Sequence, residues 1–180
     1  MALKATIFKA DIQISDMDRH YYAGHELTIA RHPSETDERM MLRVLAFALY
    51  AHEQLSFTKG LSTDDEPDLW QKSLSDEIEL WIDLGQPDEK RIRKAAGKSK
   101  QVILITYGGN SAQVWWDQNQ DKFDRFNNLS ILNIDETASK ALTELTDRNM
   151  QLQCTIQDGQ IWLGNETTTV EITPPRLKTN

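Results

Sequence analysis

Apolar residues recur with two different periods along this 180-residue chain. The alternation of segments with helical periodicity and segments with strand periodicity is the feature that constrains the fold most strongly. Residues 35 to 52 repeat apolar side chains every three or four positions, which is typical of an amphipathic helix. Residues 77 to 84 alternate instead, as a β-strand does, and place on one face Ile78, Leu80, Ile82 and Leu84. Repeated exchange between the two patterns predicts a single α/β domain.

The predicted order of elements begins with a β-hairpin in the first thirty residues. A helix from Glu35 to about His52 follows, with Ser34 as its N-cap. The chain then continues through strand 55–59, polar loop 60–66, strand 77–84, helix 88–96, strand 101–107, a helix after Gly108 and Gly109, strand 129–134 and helix 135–145. A β-meander with an Asp158-Gly159 turn closes the chain. Because no linker or repeat interrupts this order, we expect one domain over residues 1–180, with a loose tail at 174–180.

Charge and cysteine usage narrow the class of protein. The formal net charge of −8 argues against a surface that attracts nucleic acid or an anionic membrane over its whole area. No apolar run approaches the roughly 18 residues of a membrane span, and no signal peptide is recognisable at the N-terminus. The single cysteine, Cys154, forms no internal disulfide and has no metal-ligand spacing. We therefore expect a cytoplasmic protein without membrane partners.

One segment departs from the overall acidity. Residues 89 to 100 contain six basic residues and one acidic residue, a local charge of +5, which leaves −13 on the rest of the chain. A solvated helix face explains many such runs. A surface for the phosphate backbone of a nucleic acid is the alternative, with Lys90, Arg91 and Lys94 as the binding residues.

Two carboxylates are placed for metal chemistry. Asp68 follows Pro67, and Asp83 lies fifteen residues later at the end of an apolar strand, an interval that fits two neighbouring antiparallel strands. Two such oxygen ligands, with Glu38 as a third, suit Mg²⁺, which can activate a bound water for attack on a phosphodiester. The alternative is that Asp68 caps a turn and Asp83 is an ordinary acid at a strand end.

Several segments carry a family resemblance. They are Asp-Met-Asp-Arg-His-Tyr-Tyr at 16–22, His-Pro-Ser-Glu-Thr at 32–36, Asp-Glu-Pro-Asp-Leu-Trp at 65–70, Trp-Ile-Asp-Leu-Gly-Gln-Pro-Asp-Glu-Lys-Arg at 81–91, and the Trp-Trp pair at 115 and 116. Together they resemble the YaeQ proteins of bacteria over nearly the whole chain. The resemblance implies a PD-(D/E)xK nuclease-like fold of the restriction-endonuclease type, with a mixed central sheet flanked by helices and a core at about 35–107.

The same resemblance implies roles for individual residues. Asp68 matches the aspartate of the PD motif, Asp83 matches the acid of (D/E)xK, and Glu38 or Glu35 matches the acid of the first helix. Gly85 stands at the lysine position, which is a departure from the motif. Gln86 or Lys94 would then position the attacking water.

Two functions remain open at this point. The first is a nucleic-acid-handling protein with Mg²⁺-dependent phosphodiester hydrolysis. The second is a catalytically silent factor that binds nucleic acid or a protein partner and acts in transcription. The replacement of the motif lysine by Gly85 favours the silent factor over an efficient enzyme.

Overall fold

A computed structural model describes residues 4–58 and 65–179. Eleven strands are described: β1 Thr6–Asp16, β2 Tyr21–Arg31, β3 Leu55–Phe57, β4 Leu69–Lys72, β5 Ile78–Leu84, β6 Ser99–Thr106, β7 Leu129–Asn133, β8 Asn149–Gln157, β9 Gln160–Gly164, β10 Thr169–Ile172 and β11 Arg176–Lys178. The helices are α1 Asp37–Leu49, α2 Glu89–Lys98, α3 Asn110–Phe123 and α4 Glu136–Leu142, and a short 3-10 turn spans Thr143–Leu145. Lys59 and the predicted loop residues 60–64 lie outside the described residues.

The chain divides into two compact units, which no change of composition in the sequence marks. The first unit comprises residues 1–49 and 137–173, and the second comprises residues 50–136 and 174–180. The first unit contains a five-stranded sheet with the order β10-β9-β8-β1-β2. The predicted N-terminal hairpin and the predicted C-terminal meander are both present in this sheet. Strand β1 of the hairpin pairs in parallel with β8 of the meander and so joins the two motifs.

Residues 16–22, one of the segments that carry the family resemblance, have a structural role in this unit. The buried carboxylate of Asp16 accepts hydrogen bonds from the backbone N–H groups of Asp18 and Arg19 and from Nε of Arg19 at 2.7 Å. The carboxylate of Asp18 in turn accepts the backbone N–H groups of Asp158 and Gly159 at 2.7 and 2.9 Å. Since both turn residues have positive φ, this contact holds the β8–β9 turn against the β1–β2 turn.

Helix α1 begins two residues later than the sequence predicts. Thr36, rather than Ser34, is the N-cap, because Oγ1 of Thr36 accepts the backbone N–H of Arg39 at 3.1 Å. The hydroxyl and the backbone N–H of Ser34 are both engaged by Nδ1 of His32 in the turn before the helix. The side chain of Phe47 from α1 packs edge-on against the ring of His25 in β2, at 5.1 Å between ring centroids.

The second unit contains a six-stranded mixed sheet with the order β11-β7-β6-β5-β4-β3. Strands β5, β6 and β7 run parallel, while β3, β4 and β11 pair antiparallel with their neighbours. Strand β5 is therefore central, and it is buried on both faces from Leu80 onward, whereas its alternating sequence predicts one polar face. Trp81 is only 1% exposed, because it packs in a core with Ile92 and Ala95 of α2 and Trp115 of α3.

The predicted loose tail is wrong for residues 176–178. These residues form β11, which pairs antiparallel with β7, and the backbone N–H of Asn133 donates to the carbonyl of Pro175 at 3.1 Å. Strand β7 would otherwise expose an edge of unpaired backbone groups, so the last described residues complete the sheet. Within residues 4–58 and 65–179, no helix is long and apolar enough to cross a membrane.

Candidate carboxylate pair and basic helix face

The structure brings Asp68 and Asp83 together at one end of the second unit's sheet. Asp68 directly precedes β4, and its backbone N–H donates to the carbonyl of Ile82 at 3.0 Å across the antiparallel pair. Its carboxylate accepts the backbone N–H of Leu84 at 2.8 Å. Both aspartates are 5% exposed. Strands β4 and β5 are neighbours and pair antiparallel, as the interval between the two aspartates predicts.

The carboxylate of Asp83 is occupied by donors from its own unit. Nε of Arg91 donates to Oδ2 at 3.0 Å and Nη2 of Arg91 donates to Oδ1 at 3.1 Å, which is a two-pronged guanidinium–carboxylate contact. The indole Nε1 of Trp81 donates to the same Oδ2 at 3.0 Å. Arg91 also donates from Nη2 to the carbonyl of Glu66 at 3.0 Å, so one guanidinium links β5 to the segment before β4.

Burial dominates the electrostatics of Asp83. Loss of hydration raises the pKa of its carboxyl above the usual value, and the nearby charge of Asp68 acts in the same direction. The hydrogen bonds and charge of Arg91 and the indole N–H of Trp81 oppose this rise in pKa without cancelling it. The pKa of Asp83 is therefore set mainly by its burial, and Arg91 provides the main opposing effect.

Gly85 directly follows strand β5 and has a backbone conformation that the motif lysine could not adopt without strain. Its φ is +105°, and its N–H donates to the carbonyl of Ile105 at 2.9 Å. A Cβ at this position would meet no atom within 4 Å, so the obstacle to a side chain is the backbone angle and not the space.

Gln86 follows Gly85 and connects two loops at the carboxyl ends of parallel strands. Its Nε2 donates to the carbonyl of Tyr107 at 3.3 Å and to the hydroxyl of Ser111 at 3.0 Å. This amide therefore ties the β5–α2 loop to the start of α3. Its predicted role in orienting a water stays a prediction.

The predicted basic residues divide between two faces of α2. Lys90 is exposed, and Nζ of Lys94 lies 2.6 Å from the carboxylate of Asp65, with the Lys94 side chain 42% exposed. Among the described residues, Lys94 pairs with Asp65 and makes no ion pair with Asp68 or Asp83. Lys94 and Lys98 together lower the pKa of Asp65. Arg91 instead points inward to Asp83, so the three predicted residues do not share one surface.

Two further cations belong to the exposed face of α2. We call Lys90, Arg93, Lys94 and Lys98 the basic face, because all four are exposed on one side of the helix. The difference between these exposed cations and Arg91 could be predicted from helical spacing. Lys90, Lys94 and Lys98 are four residues apart, while Arg91 is four residues before the buried Ala95. Asp88 begins the helix by accepting the backbone N–H of Arg91 at 2.8 Å.

The two candidate helix acids lie in the first unit. The carboxylate of Glu35 is hydrogen-bonded within this unit. It accepts Nε and Nη2 of Arg43 at 3.0 and 2.5 Å and Nη1 of Arg39 at 3.0 Å. Oε2 of Glu38 accepts the hydroxyl of the buried Ser139 at 2.9 Å. Over residues 4–58 and 65–179, no three His, Cys, Asp or Glu side chains are grouped to hold a metal ion.

The remaining candidates from the sequence have structural explanations. Burial raises the pKa of the Cys154 thiol to about 12, which leaves it protonated at neutral pH. Trp115 packs in the core of the second unit, and its indole Nε1 donates to the carbonyl of Pro87 at 3.0 Å. This bond joins α3 to the start of α2. Trp116 packs against the same core.

The two mixed sheets and four described helices define an α+β protein with an acidic pair beside a basic helix. The family model described as "YaeQ protein" matches residues 1–174, and the chain belongs to the YaeQ family. It is 50% identical over 172 residues to the YaeQ protein of Escherichia coli (strain K12) and 51% identical to that of Salmonella typhi, covering 96% of this chain and 95% of each relative.

Two crystal structures resemble the whole chain. The YaeQ protein from Xanthomonas axonopodis pv. citri aligns with a TM-score of 0.95 at 47% identity, covering 98% of this chain and 99% of the other. The YaeQ protein from Pseudomonas syringae aligns with a TM-score of 0.93 at 33% identity, covering 98% and 97%. The arrangement of strands and helices described above is therefore that of the family.

Proposed function

We propose that this protein binds nucleic acid through the basic face of α2 and does so without efficient hydrolysis of the phosphodiester backbone. The observation that carries the proposal is the exposure of four cations on one side of a ten-residue helix, in a chain whose net charge is −8. A protein that bound nucleic acid by overall charge would need a net positive surface. Binding by an acidic protein requires a concentrated basic area of this kind.

The length of the basic face fits several phosphates. Lys90 and Lys98 are eight residues apart, which corresponds to about 12 Å along the helix axis. Because the phosphates of one strand wind around the duplex axis, the three lysines spaced along this length allow at most about one phosphate contact each. Asp65, which pairs with Lys94 and Lys98, is itself 78% exposed, and water and salt screen such a pair strongly.

The order of elements supports a PD-(D/E)xK-like scaffold for this binding. Helix α1 precedes strands β3, β4 and β5, and helix α2 and strand β6 follow, as that core requires. Strands β4 and β5 are antiparallel, β5 and β6 are parallel, and the matching aspartates stand at the start of β4 and the end of β5. In this proposal the scaffold serves binding, because Gly85 removes the motif lysine and Lys94 pairs with Asp65.

The salt dependence of binding tests the proposal. The triple variant Lys90→Ala, Lys94→Ala, Lys98→Ala should bind a labelled duplex DNA or single-stranded RNA more weakly than the unmodified protein does. The slope of log K against log salt should fall in magnitude by about 2 to 3, since each lost phosphate contact contributes about 0.7 to 0.9. Fluorescence anisotropy over a series of salt concentrations measures both quantities.

A matched control removes the same charge elsewhere. The triple variant Lys4→Ala, Lys9→Ala, Lys122→Ala also loses three exposed lysines, and it should keep the slope of the unmodified protein. Equal losses in both triple variants would mean that no particular surface is used. Failure of the unmodified protein to bind either nucleic acid at low salt would refute the proposal and favour a protein partner.

Hydrolysis is tested separately with the same probes and Mg²⁺. We expect no efficient cleavage by the unmodified protein. Robust cleavage that is abolished by Asp83→Asn and by Lys94→Ala would show that the site is catalytic and that a helix lysine replaces the motif lysine. Cleavage that depends on Asp83 and Gln86 but not on Lys94 would assign the role to Gln86.

A further inference from the structure

A basic side chain of the protein lies at the Asp68–Asp83 pair. Two neighbouring buried carboxylates repel each other when both are ionised, and such pairs are usually relieved by a metal, a shared proton or a basic side chain. Here the cation is the guanidinium of Arg91, which contacts both carboxylate oxygens of Asp83. The donor set around Asp83 is complete without a metal, because the indole of Trp81 supplies a third hydrogen bond.

Arg91 is held in this position from several directions. Its Nη2 donates to the carbonyl of Glu66 at 3.0 Å, its guanidinium carbon lies 6.0 Å from the ring centroid of Trp81, and its backbone N–H bonds to the N-cap Asp88. The side chain is only 26% exposed. A guanidinium fixed by strand, loop and helix contacts loses little further entropy when it pairs with a carboxylate.

A divalent ion would have to displace these contacts. Mg²⁺ and Mn²⁺ bind through carboxylate oxygens, and both oxygens of Asp83 already accept strong, charge-assisted hydrogen bonds. Asp68 accepts the backbone N–H of Leu84, so its carboxylate also serves the local fold. The residues at the metal position of the resembled motif therefore do not fit a divalent ion while Arg91 is in place.

We propose that the guanidinium of Arg91 is the resident cation of the Asp68–Asp83 pair and excludes divalent metal from it. Removing Arg91 exposes two carboxylates without their cation. Because two carboxylates with water ligands suffice for Mg²⁺ or Mn²⁺, the variant Arg91→Ala gains a metal site at this pair. This inference concerns the carboxylate pair alone and does not require nucleic acid.

Thermal melts with and without MnCl₂ test the proposal, together with electron paramagnetic resonance of free Mn²⁺ to count bound ions. The unmodified protein should show no Mn²⁺-dependent shift in Tm. Arg91→Ala should melt lower, and at a Mn²⁺ concentration about ten times its Kd it should regain about 3–6 °C. The double variant Arg91→Ala, Asp83→Asn should regain nothing, since one of the two ligands is gone.

Three outcomes would overturn the proposal. The first is stoichiometric Mn²⁺ binding by the unmodified protein that is lost in Asp83→Asn. The second is Arg91→Ala that folds but binds no Mn²⁺, because the pair would then have no affinity for a metal in either state. If Arg91→Ala does not fold, Arg91→Gln replaces it, because the amide fills part of the same space but carries no charge, and the third overturning outcome is Mn²⁺ binding by Arg91→Gln equal to binding by the unmodified protein.

Discussion

The buried ion pair between Glu35 and Arg43 provides the sharpest test of how the first unit is stabilised. The two side chains are only 2% and 3% exposed, and Arg43 makes two bonds to Glu35 and one to the carbonyl of Ala30 at 3.0 Å. The substitution Glu35→Gln keeps the shape and one acceptor oxygen but removes the charge. It leaves the Arg43 guanidinium buried without its counter-ion.

The magnitude of the effect follows from that burial. Removing one partner of a buried pair costs about 3–5 kcal/mol, and the retained amide oxygen places Glu35→Gln at the lower end, about 3 kcal/mol. For a chain of this length, this loss lowers Tm by about 6–12 °C. The double variant Glu35→Leu, Arg43→Met should lose less stability than Glu35→Gln does, because it removes both members of the buried pair and only the partly exposed Arg39 loses its bond to Glu35.

Urea unfolding at neutral pH measures these free energies, and Glu38→Gln is the matched control. Glu38 undergoes the same chemical change, but its one described bond, from Ser139, can be accepted by an amide oxygen as well. We expect Glu38→Gln to cost less than about 1 kcal/mol. A cost below 1 kcal/mol for Glu35→Gln would refute the reasoning and would free Glu35 for a role in binding or catalysis.

Two further predictions concern buried ionisable groups. The pKa of Cys154, about 12, leaves about one thiol in 10⁴ ionised at pH 8, so a thiol reagent such as DTNB should react with the native protein only as fast as it unfolds, and fast native labelling would contradict this burial. Burial raises the pKa of the Asp83 carboxyl above its usual value in the folded state, so this carboxyl holds a proton to higher pH than it does in the unfolded chain. Protonation of Asp83 therefore stabilises the folded state below the pKa that this carboxyl has in the unfolded chain. The stabilisation is lost as pH rises through the pKa of Asp83 in the folded state. The free energy of unfolding of the unmodified protein relative to Asp83→Asn should therefore fall as pH rises above about 4, and a difference that is constant with pH would contradict the raised pKa.

Local pattern predicted most of the elements. The hairpin, the meander with its Asp158-Gly159 turn and the helix after Pro87 follow from alternation, from turn residues and from capping, which act between neighbours in the chain. The same local information contained the basic face, since Lys90, Lys94 and Lys98 repeat at helical spacing. Local pattern predicted a loose tail at residues 176–178 and was wrong there. A three-residue strand is specified by the edge of β7 that it covers and not by its own sequence.

The sequence by itself determined which residue types stand at each strand end and on each helix face. It placed Asp68 and Asp83 on neighbouring strands, and the resemblance of residues 81–91 to a known family identified the same positions. Only the tertiary structure decided the partners of these groups. Whether Arg91 reaches Asp83 or solvent depends on how α2 packs over β5, and the pKa of Asp83 depends on the side chains that exclude water from it. Ion pairing and desolvation are set by distances between segments far apart in the chain, and a periodic pattern does not contain those distances.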